Sequence, residues 1–154
     1  MKNQNDAIVK TLNNLIETNI DRSKGYQTAA EEMQDMEYDA KFHEYARQSQ
    51  IFLAELEPLV REFGGEPQKS SSASGTVYRA WMDTKAALTG KDKKAILSSC
   101  EFGEDAAKKS YTDALKDSVD YPGRVRDVIS RQHQDILQAH DTIKGLRDSV
   151  LQHH

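Results

Sequence analysis

A four-residue segment of this chain occurs twice. Arg47-Gln48-Ser49-Gln50 returns 84 positions later as Arg131-Gln132-His133-Gln134. Upstream of each copy a tyrosine lies among small residues, and these tyrosines, Tyr26 and Tyr111, are 85 positions apart. Because the two offsets agree to within one residue, a pair of helices is predicted to occur twice. Two copies with so long a period do not make a solenoid. The repeat therefore predicts an all-α four-helix bundle built from two helical hairpins.

Apolar residues spaced three and four apart predict the extents of the four helices. The first helix starts at a cap provided by Asn5 or Asp6 and ends near residue 35. The second covers about 38–63. The third follows a cap at Asp92 and ends before Tyr121-Pro122-Gly123, and the fourth ends near residue 150.

The connection between the second and third helices is the longest of the three. Gly64-Gly65 ends the second helix and Pro67 prevents its continuation. The connection, about 64–91, includes a predicted short extra helix at about 76–88, and it is long enough to carry the chain from one end of the bundle to the other. One long crossover between two tight turns is typical of ferritin-like bundles rather than of up-down-up-down bundles.

Composition narrows the class of protein further. The 154 residues fit one domain, 1–154, with 37% apolar and 30% charged residues. The net charge is −4, and acidic and basic residues are interspersed without a basic stripe, so no nucleic-acid partner is predicted. No apolar run approaches the ~18 residues of a membrane span. The start of the chain lacks the apolar segment of a signal peptide. A single cysteine fits a reducing compartment, so a cytoplasmic protein is predicted.

Polar residues interrupt the predicted apolar stripes. Glu104 is the most informative, because Cys100, Ala107 and Tyr111 place it on the buried face of the third helix. A buried carboxylate needs a cation, a hydrogen-bond donor or a raised pKa. One interpretation is a buried polar network without metal. Its predicted members are Asn19, Tyr26, Gln48, Glu104, Tyr111 and Gln132.

The alternative interpretation is a metal site at mid-bundle. Di-iron bundles use a Glu from each of two helices and a Glu-x-x-His from each of the other two. Glu104 fits the first role, but Asn19 stands at its counterpart, and the Arg-Gln-x-Gln repeats stand about where the two Glu-x-x-His motifs belong. A single-ion site and a di-metal centre both remain open. The candidate ligands for iron, manganese or zinc are Glu104, Glu17, Asp21, Glu101 and His133.

Several blocks of the sequence resemble one known family. They are Leu15-Ile-Glu-Thr18, Lys24-Gly-Tyr26, Glu62-Phe-Gly-Gly65, Trp81 to Gly90, Cys100 to Ala106 and Gln132 to Ile143. Over residues 8–147 the chain resembles a bacterial four-helix-bundle family of unknown function in the ferritin-like, rubrerythrin-related superfamily. The resemblance implies a ferritin-like bundle in a bacterial cytoplasmic protein. Rubrerythrin-like relatives also have a Gly-Glu followed by a tyrosine seven residues after the Glu, as in Gly103-Glu104 and Tyr111.

Two functional hypotheses follow. The first is a non-enzymatic ferritin-like domain, either stress-related or an interaction module, that forms homo-oligomers through its helix faces. The second is a divergent metal-binding bundle with residual redox activity. The missing metal ligands alongside an intact helical frame favour the first. No phosphate loop, nucleophile elbow or Ser/His/Asp arrangement stands out. If Tyr111 donates to a buried Glu104, Tyr111→Phe would destabilise the fold by roughly 1–3 kcal/mol.

Overall fold

The chain folds into four long α-helices. The computed structural model describes residues 2–33, 35–70, 93–116 and 119–152. The helices are α1 (Lys2–Met33), α2 (Met36–Glu62), α3 (Lys93–Lys116) and α4 (Gly123–Gln152), and no strand occurs in these described ranges. The prediction of an all-α protein with four helices is therefore confirmed. The predicted extra helix at 76–88 lies outside the described residues.

The start of α1 differs from the prediction. The helix begins at Lys2, so Asn5 and Asp6 lie inside it rather than at its N-cap. No glycine or proline precedes them to interrupt the helix, which therefore extends past both. At α2, Asp35 is the N-cap, and its side chain accepts a hydrogen bond of 3.0 Å from the backbone N–H of Glu37.

A glycine stop ends α2, as the sequence predicts. Gly64 has a φ of +87°, a left-handed conformation that glycine adopts without steric cost. Its N–H donates to the carbonyl of Arg61, and the Gly65 N–H donates to the carbonyl of Val60, both at 3.0 Å. This pair of bonds is the Schellman motif. The chain then follows α1, where the Asn13 side chain bonds the backbone of residues 66 and 68.

Adjacent helices are antiparallel at every interface. On α1, Asn19 and Tyr26 bond Tyr111 and Glu104 of α3, so the order along the two helices is opposite. The same reversal relates α2 to α4, where Glu55 pairs with Arg131 and Glu62 with Arg124. The most extensive packing is between α1 and α2 and between α3 and α4, and the α2–α4 interface is the smallest of the four. Because α2 and α3 run in the same direction, α2 ends and α3 begins at opposite ends of the bundle.

The apolar core consists of two clusters, one at each end of the bundle. One includes Ile8, Leu12, Leu56, Val125 and Ile129, and the other includes Ala29, Met33, Phe42, Ile96 and Ile143. Between the clusters lie fully buried polar side chains from all four helices, namely Asn19, Arg22, Ser49, Glu104 and Gln132. Buried polar groups need internal partners, so this mid-bundle layer is the candidate site.

Candidate functional site: a buried polar layer

An ion pair lies at the centre of the layer. Arg22 of α1 and Glu104 of α3 are both 0% exposed. The Arg22 Nε is 2.6 Å from Oε1 of Glu104, and its Nη2 is 2.9 Å from Oε2, which makes the pair bidentate. The Tyr26 hydroxyl donates a third hydrogen bond, of 2.7 Å, to Oε2. Both oxygens of the Glu104 carboxylate are therefore occupied by protein donors.

The guanidinium of Arg22 is equally well satisfied. Its Nη1 donates to Ser49 Oγ at 2.9 Å and to the Tyr45 carbonyl at 3.4 Å. Its Nη2 donates to Gln48 Oε1 at 2.8 Å, in addition to Glu104. All five N–H groups of the arginine thus have acceptors. The rings of Tyr26 and Tyr45 lie 5.4 and 5.7 Å from the guanidinium carbon, at cation–π distance.

A chain of hydrogen bonds leads from this ion pair to the surface. Ser49 Oγ donates to Asn19 Oδ1 at 3.0 Å, and Asn19 Nδ2 donates to the Tyr111 hydroxyl at 2.8 Å. Tyr111 donates to Gln132 Oε1 at 2.6 Å, and Gln132 Nε2 donates to Glu55 Oε1 at 2.9 Å. Glu55 lies near the surface, where Arg131 holds its other oxygen at 2.7 Å. The chain links all four helices.

The direction of every bond in this chain is fixed by its ends. Arginine can only donate, so the Ser49 hydroxyl accepts from Arg22 and must donate onward to Asn19 Oδ1. The Asn19 amide nitrogen is identified by its second bond, of 2.9 Å, to the Leu15 carbonyl. The Tyr111 hydroxyl accepts from Asn19 and so donates to Gln132. The donors therefore all point from the buried guanidinium towards the Glu55 carboxylate, an arrangement in which each bond polarises the next.

Burial and charge set the protonation of the buried groups. Burial lowers the pKa of the Arg22 guanidinium, but the attraction of Glu104 outweighs it, so the pKa lies above its usual value. Burial, together with the negative charge of Glu104, raises the pKa of Tyr26 and of the Cys100 thiol well above their usual values. Burial also raises the pKa of Tyr111. These shifts keep the tyrosines as hydroxyl donors and Cys100 as a thiol, which is not the nucleophilic form of cysteine.

The six residues predicted for a polar network all belong to it. Gln48 bonds Arg22, Tyr26 bonds Glu104, and Asn19, Tyr111 and Gln132 are consecutive in the chain of hydrogen bonds. One predicted contact is wrong. Tyr111 donates to Gln132 rather than to Glu104, because antiparallel α1 and α3 bring Tyr26 to Glu104 and Tyr111 to Asn19.

The five candidate metal ligands occupy different places. Glu17 lines a surface pocket with Lys10 and Asp113, and Asp21 is buried on α1. The His133 ring stacks on Tyr111 with its Nε2 3.4 Å from the Thr112 hydroxyl. Burial and the nearby Lys108 lower the pKa of His133.

The fifth candidate, Glu101, lies beside Asp105 and His140 rather than at the polar layer. Glu104 is the one candidate that lies in the layer, and its bonds are made to Arg22 and Tyr26.

Sequence reasoning missed Arg22 and Glu55. A signal for Arg22 was present, because it lies three residues after Asn19 and four before Tyr26, on one face of α1. An arginine in an apolar stripe commonly extends its head to solvent, so burial does not follow from spacing alone. Glu55 enters the network through Gln132 of α4, 77 residues further along the chain.

The two halves of the repeat differ at two buried positions of the layer. Asn19 and Tyr26 of α1 correspond to Glu104 and Tyr111 of α3, and each tyrosine contacts the polar residue of the other helix. By the same offset Arg22 corresponds to Ala107, a small buried residue. The first hairpin therefore supplies the buried cation and the second supplies the buried anion.

These features define an all-α helical-bundle protein whose interior is crossed by a polar layer with a central ion pair. Residues 7–117 match the family described as Domain of unknown function (DUF2383). The match covers more than half of the chain, so this protein belongs to that family. It includes Asn19, Arg22, Tyr26, Glu104 and Tyr111 and stops before α4. No curated protein matches the chain. Among the described residues, no helix is both long and apolar enough to cross a bilayer.

Proposed function

We propose that this protein is a non-enzymatic ferritin-like domain of the bacterial cytoplasm in which a buried arginine replaces a metal ion. The observation that carries the proposal is that both oxygens of the Glu104 carboxylate accept hydrogen bonds from Arg22 or Tyr26. A metal ion at this carboxylate would have to displace a guanidinium whose five N–H groups all have acceptors. Displacement would leave a buried cation unpaired next to a second cation, which is strongly unfavourable.

The topology supports the ferritin-like part of the proposal. The helices α2 and α3 run in the same direction and are not adjacent in the bundle, and each is antiparallel to α1 and α4. The chain between α2 and α3 therefore requires one long crossover, which is typical of that fold. Tyr111 follows Glu104 by seven residues, which agrees with the pattern of the rubrerythrin-like proteins that the sequence resembles. Asn19 at the counterpart of Glu104 offers an amide, a much weaker metal ligand than a carboxylate.

An interaction role is supported by apolar side chains on the outside of the bundle. Ile51 of α2 is 54% exposed and Phe102 of α3 is 67% exposed. Ile51 borders a groove of about 450 Å³ between α2 and α4, where the helices are least closely packed. We infer that the protein forms homo-oligomers through such helix faces. Size-exclusion chromatography with light scattering tests this inference. Ile51→Glu or Phe102→Glu should reduce the measured mass of the particle. Ala54, which is exposed on α2, is changed to Glu as the control.

The central experiment is elemental analysis of protein purified without chelator, with His153 and His154 replaced by Ala in every sample. If the proposal is right, Glu104→Gln changes neither the iron nor the manganese content, and the wild type neither oxidises ferrous iron nor consumes peroxide. His140→Ala serves as a matched variant outside the polar layer. Near-stoichiometric metal that is lost in Glu104→Gln but kept in His140→Ala would contradict the proposal.

That contradictory result would support the second candidate, a divergent metal-binding bundle with iron, manganese or zinc at Glu104 and residual redox activity. Circular dichroism of Glu104→Gln is needed beside it, since an unfolded variant would lose metal for a trivial reason. Tyr26→Phe distinguishes the loss of a metal ligand from the unfolding of the variant. It removes a donor from Glu104 without changing the carboxylate, so a metal held by Glu104 should remain bound.

A further inference from the structure

A second group of polar side chains lies between α3 and α4, away from the polar layer. It consists of Glu101 and Asp105, one turn apart on α3, and His140 on α4. One donor atom from each residue lies within 4.8 Å of the other two. The side chains of Glu101 and His140 are only 15% and 12% exposed, whereas Asp105 is half exposed. The group is therefore partly shielded but open to solvent on one side.

Both ring nitrogens of His140 face carboxylates. Its Nε2 lies 2.7 Å from Oδ1 of Asp105, and its Nδ1 lies 3.2 Å from Oδ1 of Asp141. A neutral imidazole carries hydrogen on one nitrogen, and the lone pair on the other would repel a carboxylate. A metal ion bound at Nε2 would use that lone pair and leave the Nδ1 hydrogen facing Asp141. Asp141 is a carboxylate partner for Nδ1. Histidines that bind metal through one ring nitrogen usually have such a partner on the other nitrogen.

We propose that Glu101, Asp105 and His140 bind one divalent transition-metal ion, with Zn²⁺ as the best match. One imidazole and two carboxylates with an open fourth side suit zinc, which accepts three protein ligands and a water. Ligands about 2.0–2.2 Å from zinc are separated from one another by about 3–4 Å. The three side chains need only small rotations to reach that geometry, because their atoms already lie within 4.8 Å.

The guanidinium of Arg147 pairs with Glu101, one of the three proposed metal ligands. Its Nη1 forms a close ion pair with Oε2 of Glu101, while its Nη2 and Nε bond Asp148 at 3.0 and 3.3 Å. Arg147 can therefore release Glu101 and keep Asp148 as its partner. The guanidinium competes with the metal for Glu101, so its removal is expected to strengthen metal binding.

Titration of the chelator-treated chain with Zn²⁺, followed by calorimetry, tests the proposal, and Co²⁺ absorption reports the ligand geometry. His153 and His154 are replaced by Ala in all samples so that the chain end contributes no ligand. The expected result is one ion per chain, with affinity lowered at least tenfold in His140→Ala and in the exposed Asp105→Asn. Arg147→Gln is expected to raise the affinity about two- to fivefold.

His133→Ala is the matched control, because this histidine lies on the same helix but stacks on Tyr111. It should leave the isotherm unchanged, as should Glu104→Gln. Absence of one-to-one binding, or equal binding by His140→Ala and the wild type, would overturn the proposal. This inference does not depend on the proposed function. Loss of metal in Glu104→Gln would contradict the proposed function, whereas unchanged zinc binding in His140→Ala would contradict the zinc site.

Discussion

The two buried tyrosines of this protein occupy equivalent places in the repeat but have different surroundings. Tyr26 donates to the Glu104 carboxylate beside the guanidinium of Arg22. Tyr111 accepts from Asn19 and donates to Gln132, both neutral amides. The two tyrosines occupy equivalent positions of the repeat, but Tyr26 faces the charged Glu104 and Tyr111 faces the neutral Asn19. A repeated helical hairpin can therefore keep its hydrogen-bond frame while the charge within it becomes asymmetric.

The largest difference between the two ends should appear when the cation is removed. Arg22→Gln leaves the Glu104 carboxylate buried without its charge partner, so the free energy of unfolding should fall by about 3–5 kcal/mol. Urea denaturation followed by circular dichroism measures it. The double variant Arg22→Met, Glu104→Met removes both charges and should be more stable than Arg22→Gln.

The control for this prediction is the exposed bidentate pair of Arg124 with Glu62, whose two bonds are both 2.7 Å. Water solvates these charges in the folded and unfolded states alike, so Arg124→Gln should have a far smaller effect. Equal losses in Arg22→Gln and Arg124→Gln would show that burial does not determine the strength of the central pair.

An intermediate effect is expected from the tyrosine hydroxyls. Tyr26→Phe removes a donor from a buried carboxylate and should cost about 1.5–3 kcal/mol of unfolding free energy. Tyr111→Phe removes a bond between neutral groups, and Asn19 keeps its bond to the Leu15 carbonyl, so about 0.5–1.5 kcal/mol is expected. The two variants are matched in shape and burial. If Tyr111→Phe lost more unfolding free energy than Tyr26→Phe in the same urea assay, the buried carboxylate would not depend on Tyr26 as described.

The smallest predicted effect lies at the surface end of the chain of hydrogen bonds and depends on pH. Partial burial raises the pKa of Glu55, but hydrogen bonds from Arg131 and Gln132 outweigh it and hold the pKa below its usual value. A carboxylate with a depressed folded pKa adds stability above its unfolded pKa of about 4.3, and this stability is lost as the pH falls through the folded pKa.

Comparison of the wild type with Glu55→Gln across this range measures the contribution of Glu55. The wild type should be more stable at pH 7 by less than about 1 kcal/mol. The difference should shrink below about pH 4. A difference that stays constant down to pH 3 would mean that ionisation of Glu55 does not strengthen its bonds with Arg131 and Gln132.

The sequence predicted the four long helices because their apolar positions recur every three or four residues, but it placed the start of the first helix at Asn5 or Asp6 rather than at Lys2. It also identified Glu104 as buried, since Cys100, Ala107 and Tyr111 surround it on the same face. The identity of its partners did not follow. Antiparallel packing places Tyr26 against Glu104, seven residues before Tyr111, and it places Tyr111 against Asn19, seven residues before Tyr26. Arg22 was missed because its partner is 82 residues away in the chain.

The asymmetry between Arg22 and Ala107 also determines which hairpins can assemble with each other. Two copies of the α1–α2 hairpin would bring two guanidinium groups into one interior, and two copies of α3–α4 would bring two carboxylates. Each like pairing leaves buried charges uncompensated, whereas the unlike pairing forms the observed ion pair. A sequence that evolved by doubling would thus have lost the ability of either half to dimerise with itself. The charge difference makes the two halves obligate complements and selects against mispaired hairpins during folding.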